Sequence, residues 1–135
     1  MMPVNRYPFV SQAGALMLLR VAVAIFFMAH AAVRIANGSI PQFASFLAAK
    51  GVPLPLVAVW LITLYELAAG TLMALGKWVR WLTVGFQAIA VGGILLIHVN
   101  FGWFVGEHGV GGMEYSLSLV VALLVIAATH TESSR

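Results

Sequence analysis

The stretch Gly14–Ala36 reads GALMLLRVAVAIFFMAHAAVRIA, and it decides the fold. Apart from Arg20, His30 and Arg34, every side chain in it is apolar. Its length matches the roughly 20 residues that a helix needs to cross the hydrocarbon of a bilayer. A secretory signal is the competing explanation. That would show a short basic-then-apolar layout ending in a small-residue cleavage site, without two arginines and a histidine inside it, so the stretch is read as a span. The same measure finds three more segments, from about Pro55 to Leu75, Trp81 to Val99 and Glu114 to His130. The expected fold is therefore an all-α membrane protein forming a single domain over residues 1–135. Its core is a four-transmembrane-helix antiparallel bundle, with a short amphipathic interfacial helix between spans one and two.

Composition agrees. Of 135 residues, 62% are hydrophobic and only 8% charged, against about 25% charged in a soluble domain. A soluble domain of this size has too little interior for so much apolar side chain. The net charge of +3, from 7 Lys/Arg and 4 acids, is too sparse for a phosphate-tracking surface, so nucleic acid is excluded as a partner. The absence of cysteine removes disulfides, thiolate metal sites and cysteine nucleophiles.

The connections differ in character. Gly76–Arg80 is a tight basic turn, whereas Asn100–Met113 is glycine-rich and carries Glu107 and His108, both read as solvated, but no Lys or Arg. Its glycines let that loop fold over a site or approach a ligand closely. Between spans one and two, Ser39 and Gln42 read as a capping box, Pro41 as a first-turn residue and Gly51 as a helix stop. Phe43, Phe46, Leu47 and Lys50 share a face there, which predicts the interfacial helix. Arg6, Lys77, Arg80 and Arg135 fall on one side against Lys50 on the other. The positive-inside rule then places both termini and the basic turn in the cytoplasm. The four Trp lie near span ends, as an aromatic belt requires.

An ionisable group at mid-span costs about 2.5–3.5 kcal/mol on insertion scales, yet every span carries one. At about 100° per residue, Arg20, His30 and Arg34 share a sector of about 80° on span one. Glu66 shares a face with Thr63 and Gly70, His98 with Gln87 and Thr83, and Glu114 with Ser118. Four polar stripes are satisfied together only by facing one another. Counted by depth from flush helix ends, Arg20 and Glu66 form an inner structural ion pair. His30, Arg34, His98 and Glu114 form an outer cluster beneath the glycine loop. The plainer explanations are helix register for the pair, snorkelling for Arg34 and interhelical struts for the histidines. Two His, an Arg and a carboxylate at one depth favour a functional site.

Leu18-Leu19-Arg20, then Phe26-Phe27-Met28-Ala29-His30 and Arg34, resembles the first span of the DoxX family. Gly51-Val52-Pro53-Leu54-Pro55, Glu66-Leu67-Ala68-Ala69-Gly70 and Leu75-Gly76 resemble its second block. His98 and Gly111-Gly112-Met113-Glu114-Tyr115 complete the likeness over nearly the whole chain. Two positions depart from the pattern: Ala31 replaces the usual Gly after His30, and Arg34 stands where Lys is common. Arg keeps the charge but not the option of a deprotonated amine. The resemblance implies a four-helix bacterial inner-membrane protein, similar to DoxD and to the small membrane subunit of thiosulfate:quinone oxidoreductase.

Three functions compete. The first is a quinone-linked redox subunit. There His30 or His98 exchanges protons with the carbonyls of a quinone cofactor, Glu114 orients a histidine and Arg34 stabilises negative charge. The chain shows no flavin or nicotinamide fold, so its electrons come from a redox partner protein or a bound cofactor. Haem between His30 and His98 is disfavoured for want of a second signal, and no metal site is expected. The second is a non-enzymatic scaffold that docks a soluble oxidoreductase. The third is a proton-linked transporter using Glu66. Membrane lipids are partners in each, and both a homo-oligomer and a heteromeric subunit fit the sequence.

Overall fold

The computed structural model describes residues 9–106 and 111–131. Arg6, Glu107, His108 and Arg135, which carried orientation or loop expectations, lie outside them. The described chain forms five α-helices: α1 (Gln12–Ala36), α2 (Ile40–Ala49), α3 (Pro55–Ala74), α4 (Val79–Leu96) and α5 (Glu114–Thr129), with one 3₁₀ turn at His98–Phe101. Among the described residues there is no strand, only an isolated bridge between Val105 and Gly111. By length and apolarity α1, α3 and α4 can cross a membrane, while α5 is an equally apolar but shorter helix.

Local chemistry sets the helix ends. Ser11 caps α1, its Oγ accepting from the amide of Gly14 at 3.1 Å. Three helices then stop in the same way. Gly38, Gly51 and Gly76 each take positive φ, and the amides that follow turn back to the carbonyls of the last turn, Ser39 to Arg34, Val52 to Leu47 and Lys77 to Leu72. This is the Schellman arrangement that a β-carbon disfavours. The capping box at α2 is not formed, because Ser39 makes no side-chain cap. Its hydroxyl instead donates to the Arg34 carbonyl at the end of α1, which also accepts the Ser39 amide.

Helices α1, α3, α4 and α5 contact one another in a closed ring, and α2 packs on α3. Phe86 lies at the centre, its ring 4.6 Å from Phe27 and 5.2 Å from Tyr65, with Met73, Leu123, Val23 and Val79 buried around it. The outside is as apolar as the inside: Met17, Leu18, Leu61, Leu64, Val84, Leu95 and Leu124 are each more than half exposed. Continuous apolar exposure of this kind suits a hydrocarbon solvent and no other. All four Trp point outward. Helix α2 buries Ile40, Ala44 and Leu47 against Val59 on α3, so its apolar face lies on protein, and Phe46 and Lys50 stay exposed.

The buried stripe on α5 differs from the one expected. Ser116, Leu119, Leu123 and Ile126 face inward, and Ser118 is exposed. Ser118 bonds only its own helix, donating to the Glu114 carbonyl at 2.8 Å. A short hydroxyl can satisfy itself against the preceding turn, so its presence did not mark an inner face.

Candidate functional site

At the end of the molecule that carries α2, Glu66 is 2% exposed on the face of α3 that also presents Thr63 and Gly70. Arg34, in the last turn of α1, meets it. One nitrogen, Nη1, donates to Glu66 Oε2 at 2.8 Å and to Thr63 Oγ1 at 2.7 Å. The Thr63 hydroxyl in turn donates to the Val59 carbonyl at 2.7 Å. Phe43 of α2 covers the guanidinium, with its ring centre 5.2 Å from the guanidinium carbon, a cation–π contact. Among the described residues this is the one salt bridge.

The pair corrects the expected Arg20–Glu66 partnership. Met28 packs against Gly70, and Arg20 lies against Gly76 and Ala74. In that register Glu66 is level with Ala31, about one turn from Arg34 and about three turns from Arg20. Flush ends would have put it about one turn from Arg20. The ends are not flush because α2 packs on the first turns of α3, through Val59, so α3 begins beyond the end of α1.

His98 does not end a span as expected. Helix α4 stops at Leu96, and His98 opens the 3₁₀ turn. Its Nδ1 lies 3.0 Å from the Gly111 carbonyl. A carbonyl only accepts, so Nδ1 is the donor in this contact, and in the neutral ring the lone pair then falls on Nε2, on the Gly93 side. The glycine loop is thereby tied down at both ends. Gly112, Met113 and Glu114 donate their amides to the carbonyls of Phe104, Gly102 and Trp103. A β-carbon on Gly112 would collide with the Trp103 and Phe104 backbone.

Glu114 leaves the expected cluster. Its Oε1 accepts from the Val105 amide at 2.8 Å, so it holds the loop and orients no histidine. It lines a separate surface groove with Trp103, Tyr115 and Val121. The cause is the α5 rotation described above, which turns Ser116 inward and Glu114 aside.

His30, Arg34, Glu66 and His98 share one cavity of about 450 Å³. Tyr115 and Ser116 add hydroxyls, while Phe27, Phe43, Leu47, Ile62, Ile89 and Leu119 make its walls apolar. Gly92 and Gly93 widen it on the α4 side. His30 and Arg34 also reach a shallower cleft with Ser39 and Gln42, so they stand between the interior and the α1–α2 surface.

The sequence model of the DoxX family matches residues 15–99. The chain belongs to the DoxX family. The match takes in α1 to α4 and with them Arg20, His30, Arg34, Glu66 and His98, and it stops before α5 and Glu114. No curated protein and no solved structure matches the chain. The DoxX-matching region thus contains His30, Arg34, Glu66 and His98, while Tyr115 and Ser116 of the cavity lie beyond it. Sequence reasoning missed Phe43 and Ser116 as parts of this site. Phe43 could have been found from its place on α2, one turn beyond the Gly38 stop. Ser116 gave no decisive signal, because Glu114 and Ser118 mark a different face of the otherwise apolar α5.

Proposed function

We propose that this DoxX protein spans a bacterial inner membrane four times and binds a quinone head group in the α2-end cavity, as the membrane subunit of a redox system. The convergence of His30, Arg34, Glu66 and His98 on one largely apolar space of about 450 Å³ carries the reading. Ligand sites of this kind, with apolar walls and a few convergent polar groups, run from about 300 to 1,000 Å³.

The chemistry of the lining suits a quinone. The Arg34–Glu66 pair is neutral as a unit, so the cavity accepts an uncharged ring. Arg34 uses a single nitrogen on Glu66 and Thr63, which leaves donors of its fork for a quinone carbonyl. The free lone pair of His98 Nε2 takes a proton from a quinol hydroxyl, or returns one to the carbonyl. His30 is the second proton exchanger. Interconversion of quinone and quinol moves two electrons and two protons. The protons are handled by this chain and the electrons by a partner protein.

His30→Ala and His98→Ala, made separately, are each expected to lower quinol reactivity in the native membrane about 100-fold, the scale of one proton-transfer group, with protein accumulation unchanged. Undiminished reactivity in both would favour the scaffold. The transporter reading is weakened, because Glu66 is held by Arg34 and Thr63 and not left free to load and unload a proton.

Four spans require α5 to cross. It is about 24 Å long against a core of about 30 Å, and it closes the helix ring between α1 and α4. The short deficit is met by local thinning of the bilayer. Both termini are then cytoplasmic. In this cysteine-free chain, Ser133→Cys is expected to react with an impermeant maleimide only after the cells are opened.

A further inference from the structure

We propose a second site, at the end opposite the cavity, that binds the phosphate of an anionic glycerophospholipid with Arg20 as its anchor. Arg20 is half-buried where α1 passes the α3–α4 turn. Its partners among the described residues are weak: His130 Nδ1 and the Ala74 carbonyl, each at 3.5 Å, beyond the usual 2.7–3.2 Å range. Its Nε is buried with no partner among the described residues, and no carboxylate among them reaches it. A partly desolvated guanidinium with no carboxylate on it among the described residues is expensive, and a phosphate is a group whose geometry its planar fork matches.

The surroundings select a lipid. Gly76, at φ +78°, lets the turn lie directly against the guanidinium, with the place of its absent β-carbon 3.4–3.5 Å from the Arg20 head. The same turn carries Lys77 and Arg80, both exposed, and Trp78 and Trp81, which are 63% and 77% exposed. Cations beside outward-facing indoles are the arrangement of a head-group site, with the rings at the level of the glycerol backbone and the charges at the phosphate. Lys77 and Arg80 favour a net negative head group over a zwitterionic one. Nothing in this site touches the quinone cavity, so the two readings stand or fall separately.

The test is native mass spectrometry of the full-length protein, relipidated with equal amounts of phosphatidylcholine and phosphatidylglycerol. Wild type is expected to retain phosphatidylglycerol about tenfold over phosphatidylcholine. Arg20→Met should abolish that preference. Lys77→Ser/Arg80→Ser, both on the surface and harmless to folding, should reduce it several-fold. Equal retention of the two lipids by wild type, or an unchanged preference in both variants, overturns the proposal. Displacement of the lipid by millimolar inorganic phosphate would assign the site to the free ion and overturn the lipid assignment.

Discussion

Arg34→Met is expected to destabilise the protein by about 3–5 kcal/mol, the cost of leaving one partner of a buried ion pair alone. Glu66 has nowhere to go: its side chain is 3% exposed, in mid-helix, with Thr63 already committed to Val59. Glu66→Leu should cost less. Arg34 is 13% exposed near the end of α1, and its long stem can carry the charge outward. Arg34→Met/Glu66→Leu together should recover most of the loss, because paired apolar groups often replace a buried ion pair without penalty. A double-mutant cycle on denaturation in detergent reads this directly. Strong coupling is expected for Arg34 with Glu66, and additivity within about 0.5 kcal/mol for Arg20 with Glu66. The reverse result would restore the partnership suggested by counting depths along the sequence.

Gly92→Leu should have the largest effect on ligand binding. Gly92 lines the cavity, and a β-carbon there meets nothing within 4 Å. The new side chain therefore enters open space and removes volume that a quinone ring needs. The expected result is a loss of quinone-analogue affinity of at least 100-fold, measured by isothermal titration in detergent. Stability should be equal or slightly higher, since glycine is about 1 kcal/mol unfavourable within a helix. Gly85, two turns earlier on the same helix, predicts the opposite. Tyr65 fills the place of its β-carbon, its hydroxyl donating to the Leu82 carbonyl at 2.6 Å, so Gly85→Leu should unfold the packing. Undiminished binding in Gly92→Leu would mean that the ring does not occupy this cavity.

The misplacement of Glu114 has a physical explanation. In a soluble helix the apolar stripe marks the inside, but in lipid both faces are apolar and only polar groups distinguish them. That works in mid-span, where Glu66, Thr63 and Gln87 were all correctly turned inward. Gln87 reaches the Val120 carbonyl on α5 at 3.1 Å. It fails at a helix end, where Glu114 has water and a loop amide within reach and need not face the interior. His98 sat at the same margin, yet the loop carbonyl of Gly111 fixed it at the cavity.

Sequence alone determined the solvent of this protein, the helices that form it and the identity of the few groups that must be satisfied inside. These follow from run length and from the cost of a charge in hydrocarbon, which are properties of the chain taken piece by piece. Tertiary structure alone decided which charge meets which. Antiparallel helices can slide along one another without exposing anything new to lipid, so apolar pattern carries little information about register. Here the packing of α2 on the first turns of α3 sets that register. It gives Glu66 to Arg34 and leaves Arg20 among backbone carbonyl, histidine and turn at the opposite end.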